Sequence, residues 1–89
     1  MREFLKDPDA VLDYVFDWST WLASGETIST SAITVESGIT KNSESNTTTT
    51  ATVWLSGGTE GSRYKITSRI TTNQGRTDDR SAIVRVTNR

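Results

Sequence analysis

The 89-residue sequence contains no cysteine and no histidine. Without thiols there is no disulfide to stiffen a small fold and no thiolate zinc or redox site. Without imidazole the commonest general base and the usual transition-metal ligand are missing as well. Most enzymatic mechanisms stop here, so the chain is expected to be no enzyme and to carry no cofactor and no metal. Long apolar runs are also absent: nothing approaches the ~20 residues that cross a bilayer as a helix. The opening Met1-Arg2-Glu3-Phe4-Leu5-Lys6-Asp7-Pro8 carries charges where a secretory signal needs an apolar stretch. The expectation is a soluble chain, made and kept in the cytoplasm unless it is assembled into something exported, with no membrane partner.

Hydrophobic residues make up 33% of the chain, and a domain of this size buries only about 60% of the surface its unfolded chain exposes. One domain with a thin core follows. With no disulfide available, neighbouring subunits are the remaining source of stability, so an oligomer or a docked partner is expected. The net charge of −1 argues against nucleic acid as the main partner. Residues 1–45 hold three basic against eight acidic residues, net −5, and residues 46–89 hold seven against three, net +4. Cross-strand pairing between the two halves accounts for such an asymmetry; a polar face that registers a neighbouring subunit is the other reading.

Threonine and serine together supply 27 residues, and β-branched Thr suits the exposed face of a pleated sheet. From Val11 to Trp18 the large apolar residues Leu12, Tyr14, Phe16 and Trp18 alternate with polar Asp13 and Asp17, which predicts a half-buried strand. Asp7-Pro8-Asp9 ahead of it predicts a turn, and Trp18 to Leu22 a bend or bulge. A second strand runs from Thr27 to Val35. Ile28 and Ile33 differ in parity, so a bulge is expected near Ser31 or Ala32. Ile39 to Ser45 is either a short strand or an irregular crossing. Asn46 to Leu55, Arg63 to Thr71 and Arg80 to Thr87 complete the pattern, the last two joined by a hairpin loop over Asn73 to Asp79. Tyr64, Ile66, Ser68, Ile70, Ala82, Val84 and Val86 are expected inward. These short strands at regular spacing suit a β-sandwich.

Acidic residues are what remain for chemistry. Asp7, Asp9, Asp13, Asp17, Asp78 and Asp79 lack the spacing of a calcium loop, and solvated strand faces and turns account for them. Gly57-Gly58-Thr59-Glu60-Gly61-Ser62 precedes a strand and lacks the lysine of a phosphate loop, so it reads as a turn. Asn46-Thr47-Thr48 is a chance glycosylation match in a chain without a signal. Of the tryptophans, Trp18 and Trp54 are expected in the core, and Trp21, off the alternation, is an interface candidate.

Leu55 to Ile66, LSGGTEGSRYKI, resembles the turn into the penultimate strand of fibronectin type III and immunoglobulin-like domains. The resemblance implies an all-β, immunoglobulin-like antiparallel β-sandwich in which Tyr64 is a corner tyrosine, ring in the core and hydroxyl on nearby backbone. Lys6-Asp7-Pro8-Asp9, Leu12-Asp13-Tyr14, Asp17-Trp18-Ser19, Trp21-Leu22, Trp54-Leu55-Ser56-Gly57-Gly58-Thr59 and Ile70-Thr71-Thr72 through Gly75-Arg76-Thr77-Asp78 together resemble small tailed-phage proteins, the fiber-tail adaptor or virion-associated immunoglobulin-like family. That resemblance implies a virion structural protein assembled in the host cytoplasm, with an N-terminal arm at residues 1–9 and a domain at 10–89. Attachment to tail, neck, fiber or capsid proteins is the expected role. Asp13, Asp17 and Trp21 are the interface candidates, with Arg76 and Asp78 on a second surface. Capsid decoration and carbohydrate binding are the alternative roles.

Overall fold

The computed structural model describes residues 2–87; Met1, Asn88 and Arg89, at the ends of the expected arm and domain, lie outside it. Seven strands form two packed sheets: β1 (Arg2–Lys6), β2 (Leu12–Asp17), β3 (Ile28–Val35), β4 (Ile39–Asn46), β5 (Thr50–Gly57), β6 (Arg63–Thr72) and β7 (Thr77–Val86). One sheet runs β1-β7-β6-β3 and the other β2-β5-β4. No helix occurs among the described residues.

Alternation decides which face each strand buries. Tyr14 and Phe16 of β2 and Ala51, Val53 and Leu55 of β5 point inward. They meet Ile33 of β3, Tyr64, Ile66 and Ile70 of β6, and Ala82, Val84 and Val86 of β7. Trp18, fully buried just past the end of β2, closes the core at one end. Its indole N–H donates to Ser68 Oγ at 3.3 Å, which satisfies the two buried polar groups together.

Several expectations are corrected. The sandwich is not purely antiparallel, because β1 lies parallel to β7 with Phe4 opposite Val84. The two strands come from opposite ends of the chain, so their pairing needs no tight connection. The segment read as an arm therefore contributes a sheet strand. The bulge falls at Ser29, between the Ile28 and Thr30 pairings, and this extra residue moves Ile28 and Ile33 onto the same buried side. β4 is a full edge strand whose only buried residue is Ile39. The strand expected from Asn46 begins at Thr50: Asn46 ends β4, and Thr47 Oγ1 accepts the N–H groups of Thr49 and Thr50 and makes a turn of the residues between. β7 begins at Thr77, which shortens the hairpin loop.

Trp54 is the largest correction. It is 41% exposed. β5 has one parity to bury, and Ala51, Val53 and Leu55 occupy it at 0% exposure, so Trp54 stands on the outer face.

Tyr64 sits at the turn into β6. Its hydroxyl oxygen accepts the Thr59 N–H at 2.9 Å. Two glycines with positive φ make room for the ring: a Cβ at Gly38 would lie 2.8 Å from Tyr64 Cε1, and one at Gly58 would lie 3.3 Å from Cε2 and 2.7 Å from Val86 Cγ2.

Candidate functional site

Because β2 is half-buried, its odd positions all emerge on the outside of the three-stranded sheet. Val11, just before the strand, is 53% exposed and Val15 40%; Asp13 and Asp17 lie between and beyond them, also exposed. Asp13 is opposite Trp54, and Trp54 is opposite Ser43 of β4. An indole is thus flanked by two valines and a carboxylate on an open sheet face. Asp17 Oδ1 accepts the Ser19 N–H at 2.9 Å, which shapes the turn after the strand.

The other outer face is basic. Arg63, Lys65 and Arg69 alternate along the solvent side of β6, and Arg85 of β7 lies opposite Arg63. Glu3 and Leu5 of β1 stand opposite Ile83 and Arg85. Two of the four cations are matched: Arg69 Nε bonds Asp79 at 2.7 Å and Arg63 lies 4.0 Å from Glu3. The bidentate Arg69 fork holds the Asp79 carboxyl below the usual carboxylate range. Leu5, 47% exposed, is the apolar residue of this face.

A third cluster closes one end of the sandwich. Trp18 and Trp21 meet edge to face at 5.3 Å. Arg76 covers the Trp21 ring at 4.1 Å and Arg80 the Trp18 ring at 4.3 Å, both within cation–π range. Arg76 forks onto Glu26, with Nε to Oε2 at 2.8 Å and a second, shorter bond to Oε1. Thr72 Oγ1 donates to the same carboxylate at 2.6 Å and the Ala23 N–H at 3.0 Å. These bonds, the Arg76 fork first, lower the Glu26 pKa to about 2. Asn73 adds reciprocal bonds with Thr27, so the β6–β7 hairpin is clamped to the loop between β2 and β3.

Lys6 is fully buried. Its ammonium donates to the carbonyls of Asp7 at 2.9 Å and Gly57 at 2.7 Å, tying the end of β1 to the end of β5 across the sheets. Burial pushes its pKa down, against the pull of Asp7 and Asp9.

The sequence-derived candidates therefore separate. Trp21 and Arg76 come together with Glu26 at one end; Asp13 and Asp17 line the outer face of β2. Asp78 is exposed on β7 opposite Ile70. Glu26 and Arg80 escaped sequence reasoning because Arg76 and Trp18 are remote from them in the chain, and Lys6 because no local pattern shows that Gly57 lies over it. Val11 and Val15 carried a usable signal, since they share parity with Asp13. Among the described residues there is no pocket and no cluster of metal-ligating side chains.

The fold and these surfaces define a small two-sheet all-β module that offers faces and edges to its surroundings. The chain belongs to the family described as podophage GP4 fiber-tail adaptor protein gp77, whose family model matches residues 6–85. It is a tail-associated structural adaptor of a bacteriophage, from a family of structural proteins and not of enzymes. No curated protein matches the chain.

Proposed function

We propose that the chain is a non-enzymatic, immunoglobulin-like attachment module that links fiber or neck components to the phage tail by protein–protein contacts in the virion. Three points support the reading. The family match covers nearly the whole chain. The strand orders β2-β5-β4 and β7-β6-β3 correspond to the BED and GFC sets of an immunoglobulin sandwich, with β1 beside the last strand. The third is the observation that carries the role: a Trp54 left 41% exposed on an open face among Val11, Asp13 and Val15. An exposed aromatic with an aliphatic and acidic surround is the composition of a contact anchor. The clamped end bearing Trp21, Arg76 and Asp78 is the second contact surface.

Purified particles test the role. The chain is expected in intact virions and in isolated tails, and lost from tails stripped of fibers and neck proteins. Its absence from virions overturns the reading. The same Trp54 beside Asp13 also favours a sugar platform on the outer sheet; that reading predicts a glycan-array signal abolished in Trp54→Ala, and a blank array removes it.

A further inference from the structure

The two outer faces of the sandwich are unlike in charge and alike in exposing large apolar side chains, Trp54 on the central strand of one and Leu5 on an edge strand of the other. On the three-stranded sheet, Val11 and Val15 alternate with Asp13 and Asp17 along β2, and Trp54 lies opposite Asp13. The four-stranded sheet presents Leu5 and Ile83 among Arg63, Lys65, Arg69 and Arg85, four cations against the carboxylates of Glu3, Asp79 and Glu36, the last accepting the backbone N–H of Lys65. Arg63 and Arg69 are paired with Glu3 and Asp79, which leaves Lys65 and Arg85 against Glu36 and a net charge of +1 on the face.

We propose that the Trp54 face docks onto the Leu5–Lys65–Arg85 face of a second copy of this chain, giving a head-to-tail array. Charge complementarity selects this arrangement. A two-fold contact through the Trp54 face would set Asp13 and Asp17 against their own copies, and one through the basic face would oppose Lys65 and Arg85. Each self-pairing is repulsive at the rim of the contact. The heterologous pairing instead brings carboxylates to cations and covers the apolar residues of both faces. Because the faces lie on opposite sides of the sandwich, successive copies follow one another along an axis close to the sheet normal, with little tilt between them. Such a contact closes only as a wide ring and otherwise continues as a stack. The hairpin clamp at Trp21 and Arg76 lies at the end of the sandwich, outside both faces, and stays open to a different protein. The inference rests on the adaptor reading for its biological setting, but its physical basis is independent of it.

Sedimentation of the full chain tests it. Weight-average mass should rise with concentration between ~10 µM and ~1 mM to at least two protomers, and the association should weaken at ~1 M salt, where the screening length falls to about 3 Å. Trp54→Ala should remove it. Asp13→Lys alone and Lys65→Glu/Arg85→Glu alone should each be monomeric, yet their mixture should associate, since each supplies the charge that the other has lost. All these positions are exposed, and far-UV circular dichroism of each variant should match the wild type. A wild-type protein that stays monomeric throughout, or a mixture no more associated than its components, overturns the proposal. A monomer still present in tails overturns only the stacking; an associating protein absent from virions overturns only the adaptor role.

Discussion

Glu26 is nearly buried and accepts four hydrogen bonds, from Arg76 twice, from Thr72 and from the Ala23 backbone. Its pKa falls from 4.5 to about 2 in the folded protein. Unfolding below pH 4.5 therefore takes up a proton at this residue, and its contribution, complete above that pH, fades as the pH drops toward 2. Melting temperature measured across that window should fall, and Glu26→Gln should flatten the fall while lowering stability at pH 7. The tryptophans separate just as clearly. Trp18→Ala empties a fully buried site and should cost about 3–5 kcal/mol, whereas Trp54→Ala, on an outer face, should cost about 1 kcal/mol or less in urea titrations. At the corner, Gly58→Ala brings a methyl into Val86 and Tyr64 and should cost about 1–3 kcal/mol for the clash alone. Gly61→Ala, at a similar φ with nothing near the added carbon, should lose only the backbone cost of about 1–2 kcal/mol.

At the scale of elements, the exposed edges matter most. β3 is the last strand of its sheet, and Ile33 turns both backbone groups away from β6. Glu44 Oε2 accepts its N–H at 2.7 Å, and Lys41 Nζ donates to its carbonyl at 2.9 Å. A bulge in β4 after Lys41 brings the two charged side chains to bear on one residue of the neighbouring sheet. This occupies a site where another strand would pair. Replacing both Lys41 and Glu44 by Ala should raise aggregation on heating, read as light scattering, with a melting temperature only modestly lowered. β2 and β6 were legible in the sequence because large apolar side chains alternate there without interruption. β4 was not, since Ile39 is its only buried residue and a strand with no apolar period looks like a loop. β1 was hidden for another reason: its partner lies at the far end of the chain, beyond the reach of any local pattern. Trp54 misled because it ends a parity that otherwise holds Thr50 and Thr52 and is the largest side chain of β5. Size suggested burial, while three smaller residues of the other parity filled the core.

For the whole molecule, the charge asymmetry between the chain halves has two outcomes. Arg76 with Glu26 and Arg63 with Glu3 join the halves inside the fold. Of the others, Asp13 and Asp17 lie with an exposed indole on one outer face and Lys65 and Arg85 on the other. Chain composition revealed the imbalance but not its placement, because the sheet that each strand joins decides which charges share a face. The site was therefore only partly legible: Asp13 and Asp17 lie on a candidate surface, whereas Trp21 and Arg76 are held in a clamp with a carboxylate 50 residues from the arginine.

The family match makes the chain a tail-associated adaptor, and the proposed role is that its faces and clamped end are held between other proteins. Quantitative mass spectrometry of complete virions, isolated tails and tail-less heads tests this claim most directly. The chain should be present at a fixed ratio to tail proteins in the first two and missing from the third. Its absence from complete virions, or a constant ratio to capsid protein in tail-less heads, would contradict the account.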